Sequence, residues 1–192
     1  MRGRLAPVLL ALGVASLVSS CDALAPAGAG IRIEGLELEP REVRGALAEQ
    51  PVGPLVELMR GEVAGVLVKM TAQAGADSFC VAAYRGSDGI QHCGVMPADG
   101  AATAGPFLTT FVADPEADVM QVGGVADDAV RSVVATFVDG RRAEALMLPL
   151  DVAGFADHSA FILYLPPGAP HSLVAYGAGD EELERLEFQP AP

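Results

Sequence analysis

Asp157, His158 and Ser159 stand side by side in the chain and bring together a carboxylate, an imidazole and a hydroxyl. These are the groups of a hydrolytic triad, in which the imidazole takes the hydroxyl proton and the carboxylate orients the imidazole. Three consecutive residues cannot fill those roles, because triad partners converge from separate segments of a fold. The chain has no G-x-S-x-G elbow, no H-E-x-x-H and no Walker loop. Asp157, His158 and Ser159 therefore read as a loop leading into a strand, and no catalytic residue is assigned. The carboxylates of "ADPEAD" (113–118) and "GVADDAV" (124–130) could face calcium, but the spacing with its glycine and closing glutamate is missing. They read as solvated turns. "QVGGVADD" (121–128) is glycine-rich, yet it lacks the spacing and the lysine of a phosphate loop. It reads as a strand ending at Gly123-Gly124. No cofactor is implied.

The three cysteines divide into one and two. Arg2 and Arg4 open the chain, and "LAPVLLALGVASLV" (5–18) follows as an apolar run. A membrane-spanning helix needs roughly 20 apolar residues, and this run is shorter and holds Pro7. It reads as an export signal. Val18-Ser19-Ser20-Cys21 resembles the lipobox of bacterial lipoproteins: an aliphatic residue, two small ones, then cysteine. The resemblance implies cleavage after residue 20 and a diacylglyceryl group on Cys21. The protein would then sit in the lipid membrane through acylated Cys21, on the extracytoplasmic face of the cell membrane. Two acyl chains suffice for stable anchorage where one is marginal. Cleavage would remove two positive charges and take the net charge from −13 to −15. So acidic a surface repels phosphate backbones and excludes nucleic acid as a partner.

Cys80 and Cys93 remain as an even pair in an oxidising compartment. In "SFCVAAYRGSDGIQHCGV" (78–95) two strand-like runs flank the turn residues "RGSDG". With Tyr84 opposite Gly89, equal steps outward bring Cys80 opposite Cys93, at a spacing a disulfide can bridge. The rival is a metal site built with His92. Neighbours on a strand face opposite ways, so His92 cannot join Cys93 in one coordination sphere. The pair is assigned as a structural disulfide, and no metal is assigned.

The elements that carry these residues are strands. About half the chain is apolar (51%), with no tryptophan, so the core must come from valine, alanine, leucine and a few phenylalanines. The expected organisation is a signal peptide (1–20), a lipidated cysteine with a flexible linker (21–30), and one β domain (31–192). "IRIEGLELE" alternates with a slip of phase at Gly35, which predicts a bulged strand. Residues 31–60 are the least regular segment, with a short helix possible near 41–50. Strands are expected near 63–72, 78–84, 89–95, 107–112, 118–122, 131–138, 142–148, 159–165, 171–176 and 183–188. Asp139-Gly140 is the clearest hairpin turn, and "GAGDEE" (177–182) makes a second. Val133, Ala135 and Phe137, and likewise Phe161, Leu163 and Leu165, form core faces by period-2 alternation. Tyr84, Tyr164 and Tyr176 are expected beside wet sheet edges.

This pattern is mainly β and points to an antiparallel sandwich or barrel. "SVVATFVDGRRAEALMLPLD…SAFILYLPPGAPHSLVAYGAGDEEL" resembles the immunoglobulin-like modules of exported proteins from high-GC bacteria. That resemblance covers 118–188 and implies a two-sheet sandwich. The disulfide-containing region 61–117 resembles segments beside such modules in actinobacterial lipoproteins. Neither resemblance carries an activity. The resulting expectation is a non-catalytic binding or interaction module for an extracellular protein or small ligand. A structural envelope component without a ligand is the alternative, and an exported hydrolase using His158 or His171 is a more distant one.

Overall fold

Alternating apolar residues make strands here because each pleated segment can bury one face, and some bury two. The computed structural model describes residues 30–76, 78–95, 107–112, 118–155, 158–167 and 170–188. Six strands form the first sheet: β1 (Glu34–Glu37), β2 (Arg41–Val43), β3 (Leu55–Val63), β4 (Val66–Ala74), β5 (Ser78–Arg85) and β6 (Asp88–Val95). Its order is β1-β3-β4-β5-β6, and β2 lies along the other half of β3. All neighbours run antiparallel. Ala64 and Gly65 make the two-residue β3–β4 turn, both with positive φ (51° and 72°), the geometry that matches the twist of a tight hairpin. The bulge expected in the first strand is present. Gly35 has φ +56°, and the register slips between Glu34 and Glu37.

The rest of the chain builds two four-stranded sheets. One is β7 (Phe107–Val112), β8 (Met120–Asp127), β11 (Leu146–Pro149) and β12 (His158–Leu165), in the order β11-β12-β8-β7. The other is β9 (Ser132–Thr136), β10 (Arg142–Glu144), β13 (Ser172–Tyr176) and β14 (Glu182–Glu187), in the order β10-β9-β13-β14. Lettered in chain order, these are A-B-E-D against C′-C-F-G, the arrangement of an immunoglobulin-like sandwich. The fold class read from the sequence holds, and 107–188 is its two-sheet part. A third layer is added by the first sheet.

Sheet β11-β12-β8-β7 is the middle layer and is apolar on both faces. Ala160, Ile162 and Tyr164 pack with Val125 against the first sheet's Val68, Met70, Val81 and Ala83. Phe161, Leu163 and Leu165 pack with Met120 and Val122 against Val133, Ala135 and Leu173 of the last sheet. The continuous run "AFILYL" is the signature of a strand buried on two sides. Tyr164 therefore corrects an expectation. It is only 2% exposed, deep between two layers rather than at a wet edge. Burial drives its hydroxyl far above the usual phenol range, against a smaller opposing pull from Arg85. Tyr84 and Tyr176 are half-buried, with Lys69 and Arg142 over their rings.

Three further expectations change. The segment near 41–50 is not helical: Arg41–Val43 pairs with Leu55–Glu57, and the chain then bends through Gly45, whose φ is +138°. The only helical turn among the described residues is the 3-10 turn Asp151–Ala153. The strand read as ending at Gly123-Gly124 runs on to Asp127, its glycines lying opposite Ile162 and Phe161. The strand expected over 142–148 is two strands. The amide of Ala145 still bonds Val133 O (2.8 Å), after which the chain crosses to the middle sheet as β11.

Candidate functional site

The inner face of the first sheet is consumed by the core, so any site on this sheet must use the outer face. Three cross-strand rows lie there. Arg41, Glu57, Thr71, Ala82 and Gln91 make one, and Glu37, Arg60, Lys69, Tyr84 and Gly89 the next. The third contains Gln73, Cys80 and Cys93. A bulge between Glu57 and Met59 brings Glu57 and Arg60 to the same face.

Residues 44–53 form a strap across this face, and a side chain holds it. Gln73 is 2% exposed. Its Oε1 accepts from the amides of Leu47 (2.6 Å) and Ala48 (3.2 Å), and its Nε2 donates to Gly53 O (3.1 Å). Gln91 Nε2 donates to Leu47 O (2.8 Å). The primary amide thus serves the strap as a strand backbone would, which satisfies polar groups that could not otherwise be covered.

Beside the strap, the Glu57 side chain is 5% exposed and sits between two guanidinium groups. Arg60 Nε (3.1 Å) and Nη2 (3.0 Å) donate to it, as do Arg41 Nε (2.8 Å) and Nη2. Burial alone would raise the Glu57 carboxyl. The hydrogen bonds from Arg60 and Arg41 outweigh that and hold it below the ordinary carboxylate range. Glu57 and Arg60 form part of the wall of a cavity of about 350 Å³, which is lined as well by Arg44, Leu47, Lys69, Thr71 and Tyr84 among others. Lys69 Nζ stands 4.7 Å from the Tyr84 ring centre. Thr71 is 3% exposed, and its hydroxyl has no hydrogen-bond partner among the described residues. The cavity is small, cationic and walled partly by apolar groups, and it holds an unused hydroxyl.

A wider recess of about 880 Å³ lies between residues 30–36 and the β10–β11 crossing. It opens broadly to solvent, and its charged side chains, Arg32, Glu34 and Glu144, carry both signs.

Cys80 and Cys93 face one another in register and are joined as a disulfide, with Cα atoms 4.1 Å apart. Cys21 and the residues around it lie outside the described residues, as do Asp157, 113–117 and the linker through residue 29. His92 lies opposite Val81, on the face away from Cys93. Among the described residues no group of three or more His, Cys, Asp or Glu side chains could hold a metal ion. His158 and Ser159 begin β12 opposite Asp127 and Ala126, their side chains on opposite faces. Asp127 Oδ1 accepts the amide of Ala129 (2.9 Å), closing the turn after β8. His171 Nε2 lies 3.1 Å from Glu187 Oε2, both side chains about half exposed. No helix of the described residues is long and apolar enough to cross a membrane.

No family model, curated protein or solved structure matches the chain. The site residues Glu57, Arg60, Lys69, Thr71 and Gln73 were not singled out from the sequence. A signal was present in "VLVKMTAQA", where Lys69, Thr71 and Gln73 occupy every second position of a strand, opposite in phase to Val68, Met70 and Ala72.

Proposed function

We propose that this chain is a lipid-anchored protein of the extracytoplasmic membrane face whose β domain is a non-catalytic binding module. The export leader and the lipobox-like Val18-Ser19-Ser20-Cys21 support the anchor. The Cys80–Cys93 disulfide supports an oxidising compartment, since such bonds persist outside the reducing cytosol. The observation that carries the binding role is the strapped cavity. A pre-formed recess with converging cations and an unused buried hydroxyl resembles a ligand site more than a structural spacer. The domain meets the ligand, while Cys21 holds it at the membrane.

The test is the intact mass of the mature protein from the membrane fraction, with and without reductant. The expected species starts at Cys21, carries the added mass of the acyl groups and gains two hydrogens on reduction. A species starting at Met1 with three free thiols would refute the anchor and the compartment together. Cys21→Ser should move the chain out of the membrane fraction.

A further inference from the structure

The chain carries 25 acidic and 12 basic residues, yet three cations, Arg44, Arg60 and Lys69, line the strapped cavity against the single carboxylate of Glu57. At the strapped cavity the balance is reversed. Among the described residues, neither Arg44 nor Lys69 has a carboxylate partner within salt-bridge distance. Lys69 is directly opposite Arg60 in the β3–β4 ladder, and Arg60 is matched by Glu57 and by Glu37 across from it on β1. The Glu57 carboxylate is engaged by Arg41 and Arg60, which leaves Lys69 over the Tyr84 ring without an acidic partner among the described residues. The Thr71 hydroxyl, buried and without a hydrogen-bond partner among the described residues, lies opposite Glu57, one row from Lys69. It offers a neutral donor near the Lys69 ammonium, which stands over the Tyr84 ring.

We infer that this cavity binds a small oxyanion, the carboxylate or phosphate group of a low-molecular-weight acid, through Lys69, Arg44 and the Thr71 hydroxyl. The inference rests on the binding-module reading and names its ligand class. An oxyanion placed there gives Lys69 an anionic partner and the Thr71 hydroxyl an acceptor. The volume of about 350 Å³ is near the lower end for ligand cavities and limits the guest to a small molecule. Tyr84, Leu47 and Leu55 provide a flank for a short apolar body. The strap, held by Gln73, forms one wall, so the site exists only while residues 44–53 stay docked.

The test is a titration of the purified full-length mature chain in neutral detergent at low salt. Acetate, benzoate and inorganic phosphate serve as probes, with benzamide as the uncharged control. Nuclear magnetic resonance would follow the amides of Thr71, Ala82 and Leu47. At least one oxyanion should give saturable shifts at these amides, and benzamide none. Lys69→Gln and Thr71→Val should each weaken the binding by roughly 5-fold or more, as expected for losing a charge-assisted or buried hydrogen bond. Lys69→Arg should retain it, and Arg141→Gln, in the β9–β10 turn, should leave it unchanged. Unfolding midpoints of the variants show whether the sheet is intact. No saturable response to any oxyanion, or an undiminished one in a folded Lys69→Gln, overturns the inference. So does a response to phosphatidylglycerol vesicles without any response to free acids. The same sample's intact mass reads the anchor independently. Lipidated chain without oxyanion binding sinks only the site, and oxyanion binding by chain starting at Met1 sinks only the anchor.

Discussion

Replacing Gln73 with leucine isolates the device that holds the strap. Leucine has similar bulk, so little cavity is created, but three hydrogen bonds disappear: two accepted from Leu47 and Ala48 and one donated to Gly53. Each contributes about 1 kcal/mol net, or ~3 kcal/mol together. Burying the leucine side chain returns about 1 kcal/mol of apolar transfer energy. The expected loss is therefore about 2 kcal/mol, with the strap loosened enough for its amides to reach water while the leucine keeps its cover. For a domain of this size that lowers the thermal midpoint by roughly 4–8 °C. Denaturant unfolding would give the free energy, and hydrogen exchange at the amides of Leu47 and Ala48 would locate it. Both amides should lose protection while those of β4 and β5 keep theirs. Gln91→Leu removes only a single exposed bond to the strap and should cost below about 1 kcal/mol. If Gln73→Leu unfolds at the wild-type midpoint with both amides still protected, the side chain does not hold the strap, and the account of the cavity wall fails with it.

Cys80→Ser combined with Cys93→Ser removes a cross-link between residues 13 apart. Chain-entropy arguments put the loss at about 3 kcal/mol, so a midpoint drop of less than ~2 °C would show the bond to be incidental. Tyr164→Phe deletes a buried hydroxyl without a partner among the described residues, and should leave stability unchanged or raise it by up to ~1 kcal/mol. A loss beyond about 2 kcal/mol in urea unfolding would mean that the hydroxyl is engaged. Glu57 makes stability depend on pH. Its carboxyl is held below the usual range when folded, so the unfolded chain takes up the proton more readily. The contribution is complete above the ordinary glutamate range and is lost as pH falls through the folded value. Midpoints measured from neutral pH down to pH ~3 should show a slope on the acid side that Glu57→Gln flattens, and an equal slope in that variant would assign the effect elsewhere.

The features legible from sequence alone are those closed by local geometry. The turn after Arg85 sets the β5–β6 register by counting, and Cys80 meets Cys93 because both strands step evenly from it. Asp139-Gly140 closes β9 onto β10 in the same way, and short alternating strands at this spacing lead to a sandwich. The bulge at Gly35 was visible as a phase slip. Beyond local geometry the sequence became ambiguous. "LVELM" buries five residues in a row, so β3 shows no alternation, and the row that depends on it could not be drawn. Tyr164 looks like any strand tyrosine until the first sheet is laid over it. Gln73, Lys69 and Thr71 share a face by periodicity, but only the docking of residues 44–53 makes one a strap-holder and the others the lining of a cavity. Periodicity states which side chains share a face. What covers that face is decided by contacts between residues distant in the chain, where burial and hydrogen-bond satisfaction act, and those belong to the tertiary structure.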